Sequence, residues 1–167
     1  MAKNWKIRKD LSIEVCGHTL FRIECTQDFK EIKSGTLGGY IEKEENLDGN
    51  AWVYGDAKVF GDAWVYGDAR VFGNAQVYGN AKVFGDKITN KDDICYVSNR
   101  YYNITITPLH IKIGCQYHAQ VAWWNFTDEQ IEKMDGESAL NFWKIWKEPL
   151  KQICDAMKKE KGEKDVK

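Results

Sequence analysis

From residue 41 to 83 one apolar side chain returns at every sixth position: Ile41, Leu47, Val53, Val59, Val65, Val71, Val77 and Val83. Four residues after each, from Leu47 to Val77, stands an alanine: Ala51, Ala57, Ala63, Ala69, Ala75 and Ala81. Gly-Asp or Gly-Asn fills most of the steps between them. A period of six does not match the 3.6-residue face of a helix, but it is a multiple of the strand period of two. The pattern therefore predicts short strands joined by corners. Glycine tolerates the unusual backbone of such corners, and Asx side chains bond their own main chain there. The flanks read differently. "LSIEVCGHTLFRIECTQDF" alternates like two strands, with Cys16-Gly17-His18 as the hairpin turn. "DICYV", "YNITITP" and "HIKIGC" predict a small antiparallel meander. A helix should start at Thr127, with Gln130 closing a capping box and Phe126 stapling onto Ile131. A second helix begins near Ser138 and carries Leu140, Trp143, Trp146, Leu150, Ile153 and Met157 on one stripe. Pro149 is expected to kink or break it.

Hexapeptide repeats are a signature of β-helices. The V-x-G-[DN]-A-x version resembles the left-handed parallel β-helix, in which three hexads complete one triangular coil. The implied fold is mainly β: a short left-handed coil over 37–88, an N-terminal β cap over 1–36, a strand-and-helix cap over 89–157 and a disordered tail over 158–167. If three hexads make a coil, residue n lies under n+18 at a strand spacing of roughly 4.8 Å. Asp56 then stacks on Asn74, Asp62 on Asn80, and Asn50 on Asp68 on Asp86, the last step being the one like-charge pair.

The outward positions group into three faces: Trp52, Tyr54, Arg70 and Phe72; Lys58, Phe60, Gln76 and Tyr78; Trp64, Tyr66, Lys82 and Phe84. Eight of these twelve are aromatic, more than a solvated surface carries. Ladder stacking accounts for part of that excess. Tryptophan on two faces, but not on the third, predicts two unlike patches meeting around a threefold axis, hence a homotrimer with Trp52 and Trp64 at its interface. Clefts between protomers lined by Trp52, Tyr54, Trp64, Tyr66 and Phe72, with Lys58, Arg70 or Lys82 supplying charge, form the candidate binding surface. A ring face plus a cation suits a nucleobase and its phosphate, and equally a protein partner.

Composition narrows the classes. The net charge is −1, so neither nucleic acid nor a membrane surface is an expected partner. No apolar run approaches the roughly 20 residues of a membrane helix, and the charged start is not expected to be a signal peptide. Five scattered cysteines suggest free thiols and a cytoplasmic setting. His110, Cys115 and His118, with Cys95 as a fourth candidate, are the weak metal ligands or Cys-His pair. Their spacing lacks the close pairs of a zinc site, and no cofactor is expected. No nucleotide-loop or hydrolase motif is present.

"FRIECTQDFKEIKSGTLGGYIEKEENLDGNAWVYGDA" resembles the opening of small hexapeptide-repeat proteins of phages and prophages, and "IKIGCQYHAQVAWWNF" is similar to their closing strand, turn and helix. That resemblance implies an accessory protein acting inside the infected cell against host defence, either sequestering a nucleotide signal or blocking a defence protein. A structural spacer or virion part is the alternative. Enzymes of the hexapeptide fold use coil histidines as base or metal ligand. Here none lies between His18 and His110, which leaves an acyltransferase-like enzyme as the least favoured reading.

Overall fold

The structure, a computed structural model, describes residues 3–164, with side chains described up to Lys159. Strand exceeds helix, 38% against 28%, so the chain is mainly β. It begins with the expected hairpin: β1 (Trp5–Val15) pairs antiparallel with β2 (His18–Cys25). The turn takes φ of 50° at Cys16 and 82° at Gly17. Positive values at both positions give the primed turn whose twist matches that of the strands. β2 then pairs antiparallel with β3 (Leu37–Ile41).

The repeat supplies β4 (Trp52–Val53), β5 (Lys58–Val59), β6 (Trp64–Tyr66), β7 (Arg70–Val71), β8 (Gln76–Val77), β9 (Lys82–Phe84) and β10 (Lys87–Ile88). They join in parallel in three ladders, β3–β5–β8, β4–β7–β10 and β6–β9. Tyr40 lies beside Lys58, Lys58 beside Gln76, Trp52 beside Arg70 and Trp64 beside Lys82. The eighteen-residue register follows from three strands per circuit. Every repeat valine and alanine is buried, at 0–1% exposure, so the coil encloses a core of alternating large and small side chains. Each buried valine contributes about 1.5–3 kcal/mol of transfer free energy. The corner glycines hold φ between 57° and 71°.

One step breaks the register. Arg70 pairs with Lys87, seventeen residues on, and Val71 with Ile88. The cause is a missing residue: Gly-Asp is followed elsewhere by alanine, but Asp86 runs directly into Lys87. Trp52 N–H donates to Ala69 O, and Arg70 N–H donates likewise to Asp86 O, so Asp86 occupies the alanine position and turns inward. The stack of Asp68 on Asp86 is therefore not formed. Asp68 instead contacts Asn50 and binds Lys30 at 2.6 Å.

The segment between β2 and β3 covers one side of the coil. Phe29 and Ile32 close a tight loop with reciprocal main-chain bonds of 3.0 Å, and Phe29 packs edge-on against Trp52 at 5.6 Å. Gly38 makes room beneath: a Cβ there would lie 2.8 Å from the Trp52 ring and 2.6 Å from Ile23. Trp52 is consequently 0% exposed and belongs to the core. It is not an outward interface residue, which corrects the expectation from the repeat.

Past a 3₁₀ turn at Lys91–Asp93 comes a second sheet, β11 (Cys95–Ser98), β12 (Asn103–Ile106), β13 (His110–Ile113) and β14 (Gln116–Ala119), antiparallel in that order. Its two faces differ by the strand period. Ile104, Ile106, Ile111 and Ile113 face α1 (Gln120–Asn125) and α2 (Asp128–Lys164) in a second core with Trp123, Phe142, Trp143 and Leu150. The intervening Thr105, Thr107, His110, Lys112 and Tyr117 meet the end of the coil.

The α2 cap forms as expected: Thr127 N–H donates to Gln130 Oε1 at 2.9 Å, and Gln130 N–H to Thr127 Oγ1 at 3.3 Å. The break in α2 falls at Asp135 and Gly136, not at Pro149, where the helix continues. Pro149 deprives the carbonyl of Ile145 of its donor. Both residues are exposed, so water can satisfy that carbonyl while Leu150 and Cys154 anchor the far side in the core. The charged run from Lys158 is helical to Lys164 rather than a disordered tail over that stretch. Residues 165–167, the rest of the expected tail, lie outside the described residues.

Candidate functional site

The three faces of the coil have different surroundings. On the first, Trp52 is buried, Tyr54 stacks on Phe72 at 4.2 Å and 6°, and the loop of the N-terminal cap ties itself down. Tyr54 donates to Glu31 at 2.6 Å, and Glu31 also lies 3.6 Å from Arg70. Arg70 spends a further donor on Asn50 O at 2.7 Å. The hydrogen bond to Glu31 and burial hold the Tyr54 hydroxyl up at about 12, with burial the larger cause. Tyr54, Arg70 and Phe72 are thus engaged within the chain.

On the second face Phe60 is 6% exposed, packed between His18 at 5.3 Å and Tyr78 at 5.5 Å. Lys58 donates to Asp56 O at 2.9 Å. Tyr78 is 54% exposed, and the third face is the one on which no outward ring is buried. Trp64 stacks on Tyr66 at 4.2 Å, Tyr66 meets Phe84 at 4.9 Å, and Phe84 meets Tyr117 of the second sheet at 5.6 Å. Phe84 is 43% exposed, and the Lys82 ammonium lies 5.8 Å from the Trp64 ring centre.

Where this face reaches the second sheet, Asp86 organises the junction. Its side chain is fully buried and lies 2.8 Å from His110 Nδ1. Thr107 Oγ1 and the Tyr117 hydroxyl each donate to it at 2.9 Å. A buried carboxylate is tolerable only with such partners. Tyr117 also reaches the Phe84 carbonyl and stacks on His110 at 4.7 Å. Burial, then the Asp86 charge, pushes its hydroxyl far above the ordinary value.

Beside this junction lies a basin of about 340 Å³. Lys82 from β9 and Lys112 from β13 stand in it together, with Asn80, Asn103, Thr105 and the ring of Tyr101 around them. Thr105 Oγ1 accepts Lys82 N–H at 3.1 Å, fixing the coil to the sheet. Burial, and then the charge of Lys82, lowers the Lys112 ammonium below its usual range. No carboxylate lines the basin. The apolar cavity beneath the α2 break, between Tyr102, Ile113 and Phe142, holds only about 40 Å³, too little for a ligand.

Of the residues singled out in the sequence, Trp64, Tyr66 and Lys82 come together on the open face, whereas Trp52 does not reach it. Lys112, Asn103 and Tyr101 were missed. For Lys112 and Asn103 the signal was the alternation of the second sheet, which puts Lys112 opposite Thr105 and Tyr117; Tyr101, outside the strands, carried none. His110, Cys115 and His118 do not converge: His110 faces Asp86, Cys115 sits exposed in the β13–β14 turn, and His118 packs edge-on against Trp123 and Phe126. Burial lowers His118 below the ordinary imidazole value. Among the described residues no three His, Cys, Asp or Glu side chains form a group able to hold a metal. All five cysteines are free, and no described helix is long and apolar enough to cross a membrane. No family model and no curated protein matches the chain.

Proposed function

We propose that the chain is a non-enzymatic binding module, with its recognition surface on the open aromatic face and the basin that continues it. The observation that carries this reading is an asymmetry. The first face is covered by the chain's own N-terminal loop, while Trp64, Tyr66 and Phe84 are left partly or fully exposed next to Lys82, which opens into a basin with two lysines and no carboxylate. The parallel eighteen-residue register fits a left-handed triangular β-helix, the handedness that the repeat's resemblance implies. The module is a homotrimer in this reading, with Trp64 rather than Trp52 in the cleft between protomers. In this reading, which the resemblance to phage and prophage hexapeptide-repeat proteins supports, it acts in the cytoplasm of an infected cell, sequestering a nucleotide signal or occluding a defence protein. The absence of histidine from the coil supports a role without catalysis, and His110 is tied to Asp86.

Native mass spectrometry of the full chain purified from the cell that makes it tests the reading. A trimer carrying a small mass released on denaturation is expected, with the mass lost from Trp64→Ala. A monomer with no adduct and no captured protein overturns it.

A further inference from the structure

We infer that the basin between β9 and β13 is a phosphoryl site, with Lys82 and Lys112 on the phosphoryl oxygens and Tyr101 beside it as a platform for a planar ring. This rests on the binding reading above and names the ligand class: a nucleoside phosphate or a close relative of it.

Several cations around the coil are neutralised by its corner carboxylates, while Lys58 rests on the Asp56 carbonyl and Lys87 over the Phe72 ring. Arg22 is held by Asp56, Lys30 by Asp68 and Lys43 by Asp62, at 2.6–3.2 Å. Among the described residues neither Lys82 nor Lys112 has a carboxylate within 4.0 Å. They nevertheless stand in one basin, near enough for the Lys82 charge to weigh on the Lys112 ammonium. Two like charges on a half-buried wall without a counter-ion are unfavourable, and an anion between them reverses the sign of that interaction. Lys112 gives one of its three protons to the Gly114 carbonyl, which leaves two for a ligand.

The neutral groups around the lysines point the same way. Asn103 Oδ1 already accepts from Tyr96 at 2.8 Å and Ser98 at 3.3 Å, so its free capacity is its amide donors. Tyr102 gives its hydroxyl proton to Asp135 at 2.8 Å. That bond takes the Asp135 carboxylate, which does not line the basin; burial, and then this bond, hold the Tyr102 hydroxyl up at about 12. Towards the basin Tyr102 can therefore only accept, and the donors of the wall are the two ammonium groups and the Asn103 amide, which suit an acceptor-only group such as phosphate.

Size distinguishes a phosphate ester from the free ion. About 340 Å³ lies within the range of small-molecule sites, and orthophosphate alone would leave most of it empty. At the rim Tyr101 is 67% exposed, with the Arg100 guanidinium 5.9 Å from its ring centre. An exposed aromatic flanked by a cation is a stacking surface for a base.

Calorimetric titration of the full chain with orthophosphate, ribose 5-phosphate, AMP and adenosine, at low and moderate salt, tests the assignment. AMP is expected to bind most tightly, the other two phosphates more weakly and adenosine least. Lys82→Met and Lys112→Met should each weaken AMP tenfold or more. Tyr101→Ala should weaken AMP towards ribose 5-phosphate while leaving orthophosphate unchanged. Far-ultraviolet dichroism establishes that the variants fold, and Lys82→Met alone suffices if Lys112→Met does not. Phosphate binding indifferent to both lysines, or no binding of any phosphate at millimolar concentration, overturns the inference. Tighter binding of a single-stranded oligonucleotide than of AMP also overturns it in favour of a nucleic-acid groove. If the phosphates fail but a ligand or protein is still held through Trp64, the binding reading survives and this assignment alone falls.

Discussion

Asp86 stands 2.8 Å from His110 Nδ1, and that contact joins the last turn of the coil to β13 of the cap. The aspartate is there because the final repeat lacks its alanine and so puts its corner residue into the interior. Asp86→Ala restores the small side chain of the ladder above, yet leaves Thr107, Tyr117 and His110 facing an empty acceptor. Breaking such a buried set typically costs about 3–5 kcal/mol, and Asp86→Asn, which keeps an acceptor oxygen, should cost less. Urea unfolding of the two variants measures this. An Asp86→Ala protein as stable as the parent would refute the locking role.

The two coil tryptophans should separate cleanly. Trp52 is enclosed by Phe29, Tyr54 and the bare backbone at Gly38, so Trp52→Ala should cost about 3–5 kcal/mol of folding stability. Trp64 is only half-buried and lies on the open ladder, so Trp64→Ala should cost under about 2 kcal/mol while altering oligomer mass or ligand retention. Denaturant midpoints together with native mass measurements give both readouts.

How much of this was legible follows from what period each segment carries. The spacing of Val53, Val59 and Val65 announced short strands, and three strands per circuit then set the register that places Tyr40 beside Lys58. The slip at Asp86 was also written in the chain, as Gly-Asp-Lys where Gly-Asp-Ala recurs, but a strict period of six hides one deletion at its end. The cover over Trp52 was not legible. Residues 26–36 have no periodicity, and Phe29 and Ile32 act as two isolated apolar contacts closed by a turn. The basin was equally hidden, because Lys82 and Lys112 come from different ladders and meet only through the docking of the sheet on the coil. Pro149 misled for a different reason: helix propensity penalises it, but tertiary anchoring by Leu150 overrides that local cost.

Acid should weaken the N-terminal hairpin's attachment through Glu42. Its carboxylate is pushed up by burial, but the hydrogen bonds from His18 at 2.8 Å and from Gly61 N–H at 2.7 Å outweigh this and hold it below the ordinary 4.5. A carboxyl lowered in the folded state contributes stability that is fully present above the unfolded value. That contribution is lost as pH falls below 4.5 and through the folded value. Glu42→Gln should therefore flatten the acid limb of the stability curve relative to the parent. Thermal unfolding of both proteins between neutral and acid pH checks it, and parallel acid limbs would exclude Glu42 as the source.

Gly67 and Gly55 offer a controlled test of the open ladder, since both are corner glycines with positive φ, 67° and 57°. A Cβ on Gly55 meets nothing within 4 Å, whereas one on Gly67 would lie 2.4 Å from the Phe84 ring. Gly55→Ala should carry only the cost of the left-handed backbone, about 1–2 kcal/mol. Gly67→Ala carries that cost and must also swing Phe84 away from Tyr66 and Tyr117, losing the ring contacts that link coil to cap. Such contacts are worth about 0.5–1.5 kcal/mol each. The excess of Gly67→Ala over Gly55→Ala should therefore disappear when both are made in a Phe84→Ala background. A double-mutant cycle by urea unfolding reads that coupling directly. Zero coupling between positions 67 and 84 would mean that Phe84 does not rest on the corner, and that the ladder ends at Tyr66.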